Sequence, residues 1–137
     1  MFQDHHFEEW LINPDRVLIQ GILNITPDSF SDGGLYLNPK KAFDKALKLL
    51  EDGCDIIDIG GESSRPGSTP ISSQEEMDRI IPVIEKIKNE VDCIISVDTY
   101  KAYVASEAVK YGANIVNDIT GLSHDPDMID LVVKYNI

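Results

Sequence analysis

Four short apolar runs in this 137-residue chain each end in an asparagine or an aspartate. The residues are Asn24, Asp58, Asp98 and Asn117. A carboxylate at the end of a buried strand is costly unless it finds polar partners. Polar side chains just past the C-terminal ends of parallel strands are where α/β proteins bind and convert their ligands. The pattern therefore predicts that the four residues share one binding or catalytic site.

The loop after the first apolar run is rich in polar groups. Residues 25–32 include an aromatic side chain, Phe30, and two carboxylates, Asp28 and Asp32. Such a loop at a strand end suits an active site, but Thr-Pro-Asp and Ser-Asp-Gly-Gly also form ordinary turns. Taken alone, the loop fits either interpretation.

Helical patterns separate the four runs. Asn38-Pro39 predicts a helix with proline at its first position, and residues 73–76 form a possible capping box for a second helix. Pro82 falls inside that helix, and we expect it to kink the helix or to start a shorter one. Two more helices are predicted, one ending at Gly112 and one beginning at Asp125-Pro126.

Residues 53–58 and 112–117 form an internal repeat. In each, a helix-stopping glycine is followed by a turn, two β-branched residues and a polar strand end. Strands that alternate with helices in this way predict a parallel sheet with right-handed crossovers.

Two α/β folds accommodate this order. Four strand–helix units are half of a (β/α)₈ barrel, which usually takes about 250 residues. A flavodoxin-like open sheet fits the length without further units. We expect a single domain over residues 1–137, with an N-terminal extension over residues 1–16 in which a short strand pair could close the bottom of a barrel.

Composition excludes several partners. The chain has 12 Lys and Arg against 24 Asp and Glu, a formal net charge of −12, which argues against nucleic acid and anionic membranes. No apolar stretch reaches transmembrane length, and the N-terminus is too polar for a signal peptide. Cys54 and Cys93 adjoin predicted buried strands, so we expect free thiols and a cytoplasmic protein.

Two long motifs carry a resemblance to a known family. Residues 21–34, Gly-Ile-Leu-Asn-Ile-Thr-Pro-Asp-Ser-Phe-Ser-Asp-Gly-Gly, resemble the first signature of the dihydropteroate synthases, and residues 53–67 resemble the second. Residues 95–99 and 112–119 are similar to the next two strand ends of that family, in order. The resemblance covers residues 17–137 and implies the first half of a pterin-binding (β/α)₈ barrel.

The resemblance also implies a reaction. This family joins 4-aminobenzoate to the pterin methylene of 6-hydroxymethyl-7,8-dihydropterin diphosphate and releases pyrophosphate, in folate biosynthesis. Mg²⁺ assists the departure of pyrophosphate. By resemblance, Asn24 would contact the metal and the diphosphate, and its amide oxygen is a suitable hard ligand.

Further roles follow from the resemblance at the strand ends. Asp98 and Asn117 match residues that bond the pterin edge, although Asp98 could also cap the helix that begins near Lys101, and Asn117 could be a plain turn residue. Asp58 would support the site from beneath, orienting Arg65 or Asn24, or would be purely structural.

The two loops supply the remaining roles implied by the resemblance. Phe30 and Pro66 match walls of the aminobenzoate pocket, and Asp32 matches a carboxylate that stabilises the cationic methylene. Arg65 would steady the loops and anions. Ser64 stands where the family usually has threonine, so the hydroxyl is retained and a methyl is lost.

The family's remaining pterin and anion ligands would lie beyond residue 137. We therefore expect the isolated chain to lack activity, and we expect a homo-oligomer because half a barrel leaves strand edges and apolar inner side chains uncovered. Two alternatives remain: a non-catalytic half-barrel that only assembles, and a fragment of a pterin-dependent methyltransferase.

Overall fold

The computed structural model describes residues 4–26, 38–63 and 67–137, with side chains from residue 7 onward. Within these ranges, helices and strands alternate after a first helix. The elements are α1 (Asp4–Ile12), β1 (Gln20–Asn24), α2 (Pro39–Glu51), β2 (Ile56–Gly60), α3 (Ser73–Glu90), β3 (Ile94–Asp98), α4 (Ala102–Lys110), β4 (Ile115–Asn117) and α5 (Asp127–Tyr135).

The four strands form one parallel sheet in the order β1-β2-β3-β4. A flavodoxin-like sheet would place the second strand outside the first, whereas consecutive strands in sequential order are what a (β/α)₈ barrel uses. The prediction of half a barrel is therefore confirmed, and the open-sheet alternative is wrong.

The two faces of the sheet differ in their surroundings. One face packs against α2, α3 and α4 through buried residues such as Leu23, Ile59 and Val97. The opposite face is the inner face of the half-barrel. There, Ile22 on the edge strand is 63% exposed, whereas Ile94 on a central strand is fully buried. The helices thus lie on the outer side, as the sequence predicts.

The helix starts confirm one prediction and correct another. Asn38 caps α2 by accepting hydrogen bonds from the backbone amides of Lys40 and Lys41, at 3.0 and 3.3 Å. For α3, the capping residue is Ser72, which accepts from the amide of Glu75 at 3.1 Å. The predicted capping residue, Ser73, was therefore placed one residue too late.

Pro82 does not divide its helix. The helix α3 runs without interruption from Ser73 to Glu90, so the expectation of a shorter second helix is wrong. Its buried face, which includes Ile80, Ile84 and Ile87, packs on the sheet over the whole length. This burial offsets the hydrogen bond that proline cannot donate.

The N-terminal segment also differs from expectation. Residues 4–12 form α1 rather than half of a strand pair. Phe7 and Trp10 stack with ring centroids 6.0 Å apart, a contact that the three-residue spacing of a helix permits. The indole of Trp10 then donates to the carbonyl of Arg16 at 2.7 Å and ties α1 to the chain that leads into β1.

The internal repeat is a shared turn at the N-terminal ends of the strands. Asp55 exchanges hydrogen bonds with Ile19: its amide donates to the Ile19 carbonyl at 2.8 Å, and its carboxylate accepts from the Ile19 amide at 3.0 Å. Asn114 does the same with Ile95, at 2.8 and 3.0 Å. Arg16 adds an ion pair to Asp55 at 2.6 Å. One turn geometry therefore fixes two strand pairs.

Both cysteines are free thiols, as expected: Cys93 is buried and Cys54 is half-buried. Across the described parts of the chain, the helices are too short or too polar to cross a bilayer.

Candidate functional site

The residues at the C-terminal ends of the strands lie in one row. Asn24 pairs in register with Gly60, Gly60 with Asp98, and Asp98 with Asn117. Residues paired across a parallel sheet project from the same face. The structure therefore brings the three polar side chains to the inner face at one end of the sheet. Asp58 lies on the same face, two residues before Gly60.

Gly60 leaves a gap between two of these side chains. A methyl group built on its Cα would lie 3.4 Å from Asp98 Oδ2 and 3.5 Å from Asn24 Oδ1. Both oxygens therefore border the space that a side chain at position 60 would take. Sequence reasoning noticed Gly60 only as part of a motif. Its place in a row of polar strand ends is the signal that could have identified the gap.

Beneath this row, Asp58 makes a hydrogen bond across the sheet. Asn117 Nδ2 donates to Asp58 Oδ2 at 3.1 Å. The predicted partners of Asp58 were Arg65 and Asn24; the observed partner is Asn117, and position 65 lies outside the described residues. This contact leaves the side-chain carbonyl oxygen of Asn117 and the second N–H of its side-chain amide for other partners.

Two buried polar atoms near this contact have no hydrogen-bond partner within the described ranges. They are Asp58 Oδ1 and Ser96 Oγ. Asp58 and Ser96 are register partners on β2 and β3, and their exposed fractions are only 4% and 0%. Buried polar atoms normally find partners in protein or ordered water. The interior of the half-barrel therefore offers polar groups that a water molecule or a ligand can satisfy.

Asp98 sits in an environment that disfavours its charge. Burial, followed by the negative charges of Asp58, Glu76 and Asp118, raises the pKa of Asp98 from 3.8 to about 6. Asp98 does not cap α4: the amides at the start of that helix are bound by Thr99 and Asp125. The Asp98 carboxylate has a raised pKa and does not cap a helix. Its oxygens can therefore accept hydrogen bonds from a ligand.

A buried ion cluster, not anticipated from the sequence, borders the row. Lys101 Nζ donates to Glu62 Oε2 at 2.7 Å and to Glu76 Oε2 at 2.6 Å, and Tyr100 donates to Glu62 Oε1 at 2.6 Å. A small cavity lined by Glu62, Glu76 and Tyr100 also reaches Asp98. Glu76 is 1% exposed. It precedes Ile80 by four residues on the apolar face of α3, which is the sequence signal that could have found it.

The hydrogen bonds of the cluster favour the charged forms of Glu62 and Lys101. Burial works against the charge of Glu62, but hydrogen bonds from Lys101, Tyr100 and Ile71 outweigh it and lower the Glu62 pKa. Burial likewise works against the charge of Lys101, and the two glutamates outweigh it and raise the Lys101 pKa.

Five predicted site residues lie outside the described part of the chain: Phe30, Asp32, Ser64, Arg65 and Pro66. Their proposed roles stay predictions.

The predicted Mg²⁺ ligand can be tested against its surroundings. Asn24 is an exposed residue at the end of β1, and its Oδ1 borders the Gly60 gap. Asp98 Oδ2 lies on the other side of that gap. Mg²⁺ takes one or two protein oxygens and completes its shell with water and substrate phosphate. Within the described residues, clusters of three or more His, Cys, Asp or Glu suited to a metal are absent. The Asn24 amide oxygen therefore fits as a single protein ligand of Mg²⁺, and the described residues do not supply a complete set of ligands.

Comparison with known proteins points in one direction. Residues 20–137 match a family model described as a pterin binding enzyme. The chain is 56% identical over 123 residues to a dihydropteroate synthase of Bacillus subtilis, covering 90% of this chain and 43% of that protein.

Solved structures agree with the sequence match. A dihydropteroate synthase from Clostridium difficile, crystallised in the presence of pteroic acid, superposes with a TM-score of 0.85 at 52% identity, covering 89% of this chain and 46% of that one. The Xanthomonas albilineans enzyme with 4-aminobenzoic acid gives 0.83 at 44% identity, with coverages of 90% and 45%. The chain thus spans less than half the length of the relatives it matches.

Proposed function

Since the chain belongs to the family of pterin-binding enzymes, we propose that it is the N-terminal half of a dihydropteroate synthase and carries one side of that enzyme's pterin and diphosphate site. The observation that carries the proposal is the row formed by Asn24, Gly60, Asp98 and Asn117 on the inner face. Relatives of this sequence have been solved with pteroic acid, 4-aminobenzoic acid and 7,8-dihydropteroate.

Pterin recognition falls to Asp98 and Asn117, the two residues of the row on β3 and β4. An ionised Asp98 accepts from two N–H groups on one pterin edge, a charge-assisted arrangement that is stronger than neutral hydrogen bonds. The Asn117 amide, held by Asp58 at 3.1 Å, presents both a donor and an acceptor to a mixed edge. Ionisation of Asp98 requires a pH above its raised pKa of about 6.

Asn24 serves the other end of the substrate. Its amide oxygen would hold Mg²⁺ and its amide N–H groups would donate to the diphosphate. The ion, when bound, would neutralise charge that develops on the leaving pyrophosphate. The absence of a side chain at Gly60 leaves the strand end open beside Asn24.

We assign the two loops to the aminobenzoate side. Phe30 and Pro66 flank its ring, Ser64 and Arg65 contact the substrate, and Asp32 stabilises the positive methylene. In the reaction, the amine nitrogen forms a bond to the methylene carbon as the carbon–oxygen bond to diphosphate breaks, and the nitrogen then loses a proton. The residues of this chain orient the two substrates and stabilise these charges.

We propose that the isolated chain binds pterin weakly and has no measurable turnover. The inner face is open on the β1 side, where Ile22 is 63% exposed. In a wet, one-sided site each hydrogen bond contributes less than in an enclosed one. Affinity on the order of millimolar, near 4 kcal/mol, is expected.

A second candidate is a self-associating, non-catalytic half-barrel. It is supported by exposed apolar side chains at Val17, Ile19, Ile22 and Ile119. These can be covered by another copy, and we propose that the chain forms a homo-oligomer. We also place it in the cytoplasm, in keeping with its free cysteines.

Calorimetric titration with 7,8-dihydropteroate tests the main proposal. We expect weak binding by the parent chain and none by Asp98→Ala. Asp44→Ala, an exposed aspartate on α2, is the matched control and should bind like the parent. Equal binding by Asp98→Ala and the parent would show that the pterin site is elsewhere. A product assay on the same samples tests the proposed lack of turnover, and measurable product would contradict it. Pterin binding that Asp98→Ala abolishes is what separates the main proposal from a half-barrel that only assembles.

A further inference from the structure

The segment that follows β2 has both of its ends held at one point. It begins after Gly60, the last residue of β2, and ends before Ser73, the first residue of α3. The Ile71 amide donates to Glu62 Oε2 at 2.9 Å. Lys101 Nζ donates to the same Glu62 oxygen at 2.7 Å and to the Ile71 carbonyl at 2.8 Å. The two ends and Lys101 therefore form a closed triangle of hydrogen bonds.

This triangle is anchored to two neighbouring elements. Lys101 also pairs with Glu76 on α3 at 2.6 Å, and its own backbone precedes α4. Arg79 on α3 donates to the carbonyl of Gly61 at 2.7 Å. Within the segment, Ser68 donates to the carbonyl of Ser63. The base of the loop is thus tied to α3 and to the turn that carries Asp98.

We propose that Glu62 and Lys101 are positioning residues that hold the two described ends of the segment after β2, at Glu62 and Ile71, together beside the Asp98 end of β3. This inference rests on the proposed function for its purpose, since that function assigns substrate contacts to Ser64, Arg65 and Pro66. A loop whose ends are fixed has less conformational entropy to lose when it binds a ligand.

The charges of the cluster explain why position 101 is occupied by a lysine. Glu62 and Glu76 both lie near Asp98, with which they share a small cavity. Uncompensated, two buried carboxylates beside a third would repel it and each other. The Lys101 ammonium has three donors and no acceptor, so it can bind both glutamates and the Ile71 carbonyl at once.

Hydrogen exchange at the Ile71 amide, followed by NMR, tests this inference on the free chain. We expect Glu62→Ala to speed exchange of that amide at least about tenfold, because its acceptor is lost. The Ile95 amide, bound to Asn114 at the opposite end of the sheet, should keep its rate. Glu62→Gln, which retains an acceptor oxygen, should restore part of the protection at Ile71.

A second lysine provides the matched control. Lys88 Nζ donates to the Cys93 carbonyl at 3.1 Å and to Asn114 Oδ1 at 3.3 Å, at the end of the sheet away from the loop. Lys88→Met should leave Ile71 exchange unchanged, whereas Lys101→Met should speed it. If Lys101→Met fails to fold because Glu76 is left buried and unpaired, Glu62→Ala decides, since it keeps the Lys101–Glu76 pair.

Unchanged Ile71 exchange in folded Glu62→Ala would overturn the inference. So would an equal rise at Ile71 and Ile95 that matches a loss of global stability in urea, because a general weakening would then account for both. None of these readouts needs a ligand. Failure of pterin binding would count against the proposed function and leave this test intact.

Discussion

Asn117 on β4 donates its side-chain amide to Asp58 on β2 at 3.1 Å and so reaches across β3, which lies between them. The two residues are 59 positions apart in the chain. The contact links the second and fourth strands directly and sets which groups of Asn117 face the site. It also places the Asp58 charge where it acts on Asp98.

Asp58→Asn should lower the pKa of Asp98. After burial, the charge of Asp58 is the largest cause of the raised value of about 6. The neutral amide removes that charge and retains an oxygen that can accept from Asn117. An NMR titration of the Asp98 carboxyl carbon would show the lower pKa. Asp44→Asn, at an exposed position, is the control and should leave the Asp98 pKa unchanged. A constant Asp98 pKa in Asp58→Asn would contradict the assigned cause.

Asp98→Asn should stabilise the chain above pH 6 and not at low pH. Folding raises the pKa of Asp98 from 3.8 to about 6, so the folded state holds this proton more tightly. The resulting stability is fully present below pH 3.8 and is lost as the pH rises through about 6. Allowing for solvent screening of this half-exposed group, we expect a gain of about 1 kcal/mol at neutral pH. Urea unfolding across pH measures it, and a pH-independent difference would refute the linkage.

Two adjacent glycines should respond differently to alanine. At Gly61 a methyl would lie 2.9 Å from Ile80 Cγ2 and 3.1 Å from the Glu76 carbonyl, so Gly61→Ala should cost about 1–3 kcal/mol. At Gly60 the nearest atoms are at 3.4 Å or more, an ordinary contact. Gly60→Ala should therefore change stability by less than about 1 kcal/mol while narrowing the gap beside Asn24. Thermal unfolding of both variants checks this, and equal losses would contradict it.

Self-association should be visible in sedimentation velocity. The chain exposes apolar side chains at Val17, Ile19 and Ile22 near the β1 edge, and open edges with apolar neighbours favour pairing with another chain. We expect a dimer or larger species. Ile22→Lys should shift the distribution toward monomer, and Tyr103→Lys, an exposed change on α4, should not. A compact monomer at all concentrations would refute the expectation.

The sequence was sufficient for three of the four strand ends because a polar residue after an apolar run is a local signal. Strands β1, β3 and β4 end at Asn24, Asp98 and Asn117 as predicted. The predicted end at Asp58 is wrong, because β2 continues to Gly60 and leaves Asp58 on the inner face two residues below the row. The sheet order was left open between two folds, because it depends on which strands pair and no local pattern encodes that.

The ion cluster was missed for a related reason. Glu62, Glu76 and Lys101 are separated by up to 39 residues, and each has an ordinary surface explanation when considered alone. Only the packing of α3 on the sheet makes Glu76 a buried charge that needs a partner. The N-terminal helix was mistaken for a strand pair because the resemblance begins only at residue 17 and gave no motif there.

Asp55 and Asn114 lie in two turns of the same geometry. These turns place the contacts that fix strand register at one end of the sheet and leave the other end for the site. Strand register is fixed at the N-terminal ends of the strands. There the Asp55 side chain accepts from the amide of Ile19, just before β1, and the Asn114 side chain accepts from the amide of Ile95, the second residue of β3. A slip of one residue would turn every inward side chain outward. Loops at the C-terminal ends of the strands do not set the register, so their length and sequence can change without shifting the sheet. Evolution can therefore adjust what the site contacts while the architecture that presents it stays constant.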